Sequence, residues 1–377
     1  DTTIHVAFVS TNSITQGEQV SALWEKLITE YRIKIIFAYR TFKWSSEATE
    51  KAAVHCVIIG FALNTYTGEK TIFAADSIPH KVDTINPYLI EAPDVFIHGR
   101  STPICTAPKI TYGNKPADGG NLILSEEEYK LLISEDSSVI PFVRRYVGSK
   151  DYINNDEIRY CLWLRDVPAN LYRKNNEIMR RLAAVKEMRL KSTAAPTRAM
   201  ADAPYKFFSA PQKEGDCLCI PEVSSERRKY IPMGFLKNGI IASNKLLILP
   251  DASIYHFGVL ISNVHMAWTR TVCGRLKSDY QYSGAIVYNN FPWPIPTEQQ
   301  KQRIEQTAQA IIDARAKYPD NSLADLYDEL TMPLELRKAH QNNDRAVMDA
   351  YGFTKGTAAR TSESACVAEL MKLYQQK

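Results

Sequence analysis

The segment HVAFVS (His5–Ser10) is a short, almost wholly apolar run, the pattern of a strand buried on both faces. Behind it, Val20, Leu23, Trp24, Leu27 and Ile28 recur at helical spacing, preceded by Thr15 and Glu18 at the interval of a capping box. RIKIIFAYR (Arg32–Arg40) and VHCVIIGFA (Val54–Ala62) read as two more strands. TFKWSSEATEKAA, between them, reads as a long polar loop carrying two aromatics. One crossover helix cannot cover both faces of three strands. The pattern therefore predicts a chain that opens inside an α/β domain, whose earlier strands are missing or come from another polypeptide.

From about residue 86 the texture changes, and proline and glycine become frequent. SEEE (Ser125–Glu128) opens a short helix with a second capping box. PFVRRYVGSKDYI and IRYCLWLRDVP read as strands and turns, and a basic helix is expected over roughly Ala169–Leu190. KSTAAPTRAMADAP (Lys191–Pro204) reads as a mobile loop. Short strands resume through CLCIPEV, KYIPMGFL and GIIASNKLLILP, which makes this a mixed α/β domain. GRLKSDYQYSG (Gly274–Gly284) reads as one strand, with Lys277, Asp279 and Gln281 on one face and Leu276, Ser278, Tyr280 and Tyr282 on the other. Thr297 then caps a helix with Gln300 three residues on, and the tail is helical with a break at Pro333. The expected parts are residues 1–85, 86–297 and 298–377.

Net charge is only +4, yet residues 140–240 hold 19 Lys/Arg against 11 Asp/Glu, a local excess of eight. A local basic excess suits a polyanion-binding surface, although many basic faces are simply solvated. Seven cysteines without a CxxC pair read as reduced, buried thiols, with no metal and no disulfide. No run of about 18 apolar residues exists, so no membrane span is expected. No signal peptide is visible. Pro93-Asp94 with Glu128 and Lys130 formally match a PD…ExK nuclease pattern, but Glu128 and Lys130 fall on different faces of a helix. His55 lies in an apolar strand and reads as core. Neither a phosphate-binding G-x-x-x-x-G-K-[ST] nor a GxGxxG motif occurs.

AFVSTNSITQGEQV, FAYRTFKWS, AAVHCVIIGF, YGNKPADGGNLILSEEE, RYCLWLRD, PEVSSERRKYIPMGFL, RTVCGRLKSDYQYS and YNNFPWP, in this order, resemble the MmeI-type family. These are bacterial DNA adenine-N6 methyltransferases, often fused to an endonuclease in one restriction-modification chain. The resemblance implies a fold class of α/β and α+β. Residues 1–85 would be the C-terminal strands of a class I methyltransferase (Rossmann-like) domain, closing on an antiparallel strand. Residues 86–297 would form a DNA target-recognition domain, and 298–377 a helical C-terminal segment. The family's S-adenosylmethionine glycine motif and Asn-Pro-Pro-aromatic motif precede AFVSTNSI and do not occur in these 377 residues. No catalytic or cofactor-binding residue is therefore expected here, and the segment alone is expected to be inactive.

What the resemblance implies for single residues agrees with their chemistry. A base-modifying enzyme extrudes its base and holds it by stacking. In the resembled fold, the loop carrying Phe42 and Trp44 edges the target-base pocket. Asn12, Thr15 and Gln16 stand at the carboxyl end of their strand, where α/β sheets place ligands, though capping alone explains them equally well. Ser225, Arg227 and Arg228 in SSERRK have the composition of phosphate contacts, as do Arg144 and Arg145. Lys donates to guanine and a carboxylate accepts from cytosine, and residues i and i+2 on a strand lie roughly 6.8 Å apart. Lys277 and Asp279, which align with specificity positions of the resembled proteins, are thus expected to specify one G·C pair, with Gln281 beside an adenine. The implied partners are double-stranded DNA and the remainder of the methyltransferase domain, with no membrane. The implied cofactor is S-adenosylmethionine, bound outside these residues, with Mg²⁺ only at a fused nuclease. The expected setting is the bacterial cytoplasm. An alternative is a stand-alone specificity subunit that docks on a separate catalytic chain.

Overall fold

A computed structural model describes residues 4–44, 54–74 and 78–377. The first sheet contains β1 (Val6–Thr11), β2 (Ile33–Trp44), β3 (Val54–Leu63), β4 (Lys70–Phe73) and β5 (Pro79–Val82), in the order β1-β3-β2-β4-β5. β3 is antiparallel to both β1 and β2, so it is inserted between two strands that run the same way. The helical turns from Glu18–Val20 to Lys26–Thr29 make the crossover between those two strands. Trp24 pins the crossover, its indole N–H donating to the Ile14 carbonyl at 2.8 Å.

Three expectations for this sheet are corrected. β1 is an edge strand whose Phe8 and Val9 are 59% and 56% exposed, so it is not covered on both faces by the described residues. Thr15 does not cap the crossover. Its hydroxyl donates to the Asn12 carbonyl at 2.8 Å and closes a tight turn, while Gly17, at φ 58°, is the N-cap. Phe42 and Trp44 do not lie in a loop, because β2 continues through Trp44 and pairs it with Val54. Residues 45–53 of the expected loop lie outside the described residues.

The remaining strands, in chain order, are β6 (Thr111–Tyr112), β7 (Ile123–Ser125), β8 (Val143–Val147), β9 (Arg159–Leu162), β10 (Cys217–Pro221), β11 (Val223–Ser224), β12 (Gly234–Leu236), β13 (Ile240–Ala242), β14 (Leu246–Leu249), β15 (Gly274–Leu276) and β16 (Asp279–Gln281). They form three small sheets, ordered β12-β10-β14-β6, β13-β8-β9-β7 and β11-β16-β15. CLCIP and LLIL are apolar throughout because β10 and β14 are buried on both faces. Helices Glu298–Ala316, Leu334–Ala350 and Glu363–Gln375 follow. One hydrophobic core runs from Val20 through Leu218 and Trp268 to Met371, so all three parts of the chain share it. The seven cysteines are free thiols, six of them buried. Among the described residues no helix is long and apolar enough to cross a membrane, and no group of acidic, His or Cys side chains is placed to hold a metal ion.

The expected basic helix is broken into Ala169–Tyr172 and Asn176–Leu190, and two of its cations are internal. Arg181 pairs with Glu128 at 2.6 Å and Glu177 at 2.8 Å. Glu128 also completes the Ser125 capping box. Arg189 is 0% exposed. It donates to the carbonyls of Ala117, Met200, Ala203, Pro116 and Lys206 at 2.7–3.0 Å. A guanidinium offers five N–H donors, and all five are used. Residues 191–206 therefore wrap around a fixed cation, with a helical turn at Ala195–Ala199, instead of forming the expected mobile loop. Arg189→Met would strand five acceptors in the interior. It is expected to cost about 3–5 kcal/mol, read as a lower urea midpoint together with new protease cleavage within residues 191–206.

Candidate nucleic-acid interface

GRLKSDYQYSG is not one strand. β15 and β16 form a tight hairpin in which Leu276 faces Asp279, Arg275 faces Tyr280 and Gly274 faces Gln281. Lys277 and Ser278 form the two-residue turn, with Lys277 at φ 59°. The expected row of three therefore breaks. Asp279 and Gln281 still share a face of β16, while Lys277 stands at the hairpin tip. Tyr280 and Tyr282 are buried behind them. The Tyr282 hydroxyl meets His265 Nε2 at 3.1 Å, and burial pulls that imidazole down to about 3. Arg275 lies over the Tyr280 ring at 3.9 Å and donates to the Ser278 and Arg270 carbonyls at 3.2 and 3.3 Å.

The SSERRK segment packs on this hairpin. β11 pairs with β16, placing Val223 opposite Gln281 and Ser224 opposite Tyr280. The Glu226 N–H donates to Asp279 Oδ1 at 3.3 Å, and the Arg227 N–H to Ser225 Oγ at 3.3 Å. The structure therefore brings Ser225, Arg227, Arg228, Asp279 and Gln281 together. Arg144 and Arg145 are not among them. They lie on β8, in a different sheet, on opposite faces of the strand. Arg144 lines a separate cleft of about 170 Å³ with Trp163 and Gln212.

Beside the hairpin lies a cleft of about 340 Å³. One wall carries Asn12, Thr15 and Gln16 after β1, Arg40 and Thr41 of β2, and His55 of β3. The other carries Glu226, Arg270, Arg275 and Ser278, with Glu363 from the last helix at its edge. Asn12, Thr15 and Gln16 thus border a pocket as well as forming a turn, and His55 is half-buried against it instead of being core. Phe42 and Trp44, with ring centroids 6.3 Å apart, lie further along β2 and do not line the cleft. Sequence reasoning missed Arg40, Arg270, Arg275, Glu226 and Glu363. The signals for them were Arg275's place in the hairpin segment and Glu226's place in SSERRK.

The C-terminal helices hold this surface from behind. Arg270 bridges Glu363 at 2.8 Å and the Lys229 carbonyl at 2.7 Å. Tyr230 ends the SSERRKY run, and its hydroxyl donates to Asp344 Oδ2 at 2.7 Å. The other carboxylate oxygen accepts from the Asn263 N–H at 2.8 Å. Burial raises Asp344 to about 6, against the opposing pull of these two hydrogen bonds and of Lys229 and Arg270.

A five-stranded sheet with an inserted antiparallel strand, joined through one core to a hairpin-bearing domain, defines a methyltransferase-type fold with an appended recognition domain. Family models match in three consecutive blocks: the MmeI DNA-methyltransferase domain over residues 1–74, the MmeI target recognition domain over 91–295 and the MmeI C-terminal domain over 296–377. The chain belongs to the MmeI family. It is 39% identical over 375 residues to DNA methyltransferase A of Bacillus subtilis (strain 168), with 100% of this chain and 42% of that protein covered. It also superposes on the Type IIL restriction-modification enzyme MmeI in complex with DNA, with a TM-score of 0.88 and 47% identity, covering 100% of this chain and 50% of the other. The chain thus spans half or less of the length of these relatives.

Asp344 gives the surface a pH dependence. Its pKa is raised on folding, so its contribution is complete below the unfolded value of 3.8 and is lost as pH rises through about 6. That difference corresponds to about 3 kcal/mol. Asp344→Asn keeps a donor and an acceptor without the charge. Its urea stability relative to the wild type is expected to rise between pH 4.5 and 7.5; a constant offset across that window contradicts the assignment.

Proposed function

We propose that these residues supply DNA target recognition for site-specific adenine-N6 methylation of duplex DNA within a restriction-modification enzyme. The observation that carries this reading is the joining of the SSERRK turn to the β15–β16 hairpin, at the mouth of the cleft on the methyltransferase sheet. A two-stranded ribbon fits the major groove of B-DNA, and its tip enters first. The hairpin supports that docking better than a single strand would. Lys277 at the tip donates to guanine, Asp279 accepts from the paired cytosine, and Gln281 on the same face meets a neighbouring adenine. Ser225, Arg227 and Arg228 take phosphates, and Arg144 and Arg145 take a more distant stretch of backbone. Among the described residues Arg144, Arg145 and Arg227 form no ion pair, which leaves their charge for an anion, while Arg228 lies within reach of the charges of Asp279 and Asp328. The extruded adenine stacks on Phe42 and Trp44, which stand further along β2 and outside this cleft.

The methyl donor in this reading is S-adenosylmethionine. The described residues do not fit it. The turn after β1 is closed by Thr15 on Asn12 instead of by a glycine-rich cradle, and the glycine and Asn-Pro-Pro-aromatic motifs do not occur in this sequence. No step is derived through that group. The residues present orient DNA and shape the pocket. The exposed edge of β1, with Phe8 and Val9, supports pairing with the remainder of the methyltransferase domain. The same edge would serve a stand-alone specificity subunit docking on a separate catalytic chain. Purification from the native host distinguishes the two arrangements by whether one polypeptide or two carries the activity.

Long-read methylome sequencing of cells expressing the full-length gene is expected to show N6-methyladenine at one asymmetric motif; absence of any such motif contradicts the reading. The double change Lys277→Glu with Asp279→Lys is expected to replace one G·C by C·G in that motif. An unchanged motif removes the hairpin from base readout.

A further inference from the structure

Two arginines face one carboxylate across the cleft. Arg40 comes from β2 of the methyltransferase sheet and Arg270 from helix Asn263–Val272 of the recognition domain. Arg270 Nη1 lies 2.8 Å from Glu363 Oε2. Arg40 Nη1 donates to the hydroxyl of the next residue, Ser364, at 3.1 Å, and Glu363 acts on its guanidinium through space. The Glu363 side chain is 52% exposed, so the carboxylate is held at the open mouth of the cleft and not sealed in the interior. Arg275, on the same wall, keeps a buried Nε–H with no partner, while its two other donating groups are fixed on carbonyls. Three guanidinium groups from two domains therefore border one solvent-open volume, and the carboxylate paired with Arg270 is itself half exposed there.

Guanidinium forks bind carboxylate and phosphate with the same planar geometry. We propose that Arg40 and Arg270 clamp a DNA phosphodiester across the cleft, and that Glu363 occupies that position in the absence of DNA. The clamp rests on the DNA-recognition reading and adds a site to it. A phosphate here sits between the hairpin and the cleft, where the strand of an extruded nucleotide has to turn. Its negative charge replaces the carboxylate's, so Glu363 swings to solvent as the backbone enters. Loading of the clamp and seating of the hairpin are then one event.

The test uses the full-length protein and a duplex carrying the methylated motif, with affinity measured across a salt series. Arg270→Ala and Arg40→Gln are each expected to weaken binding about tenfold and to reduce the slope of log K against log[salt] by about 1. Glu363→Gln removes the competing anion and is expected to bind severalfold more tightly. A purely structural strut behaves differently: Glu363→Gln then weakens binding as Arg270→Ala does, and the slopes of both arginine variants stay at the wild-type value. Either result overturns the clamp. Because Arg270 also braces Lys229, Arg40→Gln carries the slope test independently, on the opposite wall. A wild-type protein without salt-dependent binding to that duplex sinks the recognition reading itself, and the clamp with it.

Discussion

The backbone contact between Gly17 and Gly274 sets where everything else sits. The Gly17 N–H donates to the Val272 carbonyl at 3.1 Å, and a Cβ on Gly17 would stand 3.3 Å from the Gly274 Cα. At φ 58° a side chain there is disfavoured twice, by its own backbone and by its neighbour. The contact fastens the first residue of the hairpin to the loop after β1. It fixes the width of the cleft and makes the recognition surface an extension of the methyltransferase sheet. If the hairpin reads DNA as proposed, a flexible tether would leave that reading unregistered with the base to be modified. A close-packed glycine pair does not.

Charge follows the same logic. Two cations of the basic stretch are engaged inside the fold: Arg189 holds five carbonyls and Arg181 holds two glutamates. The excess read from composition overstates what faces outward. Arg227 and Arg228 form no ion pair among the described residues, and their segment is placed by hydrogen bonds to Asp279 and Ser225 and by the Tyr230–Asp344 brace from the C-terminal helices. The C-terminal segment thus braces the SSERRK turn and the edge of the cleft. Its Asp344 and Glu363 set the positions of Tyr230 and Arg270.

Sequence reasoning found the parts better than their junctions. The strands around HVAFVS, the capping boxes at Ser125 and Thr297 and the C-terminal helices were legible because periodicity and caps are local signals. The β15–β16 hairpin was not, because Lys-Ser lacks the Asn-Gly or Asp-Gly that marks a two-residue turn, and Lys277 adopts its positive φ without that signature. Arg189 falls in the expected basic helix, and the sequence cannot show five carbonyls converging on it from residues 116–117 and 200–206. The cleft itself was legible only on the Asn12–Gln16 side. Its other residues come from distant parts of the chain, as Arg40 and Glu363 do, and no local pattern links them.

Hydrogen exchange of the full-length protein, free and bound to its motif duplex, tests the central claim most directly. If the hairpin, the SSERRK turn and the cleft are one DNA-recognising unit, amides within residues 12–17, 224–229 and 274–281 gain protection together on binding. Protection confined to the separate cleft around Arg144 and Trp163, or to one of the three segments alone, would contradict the account.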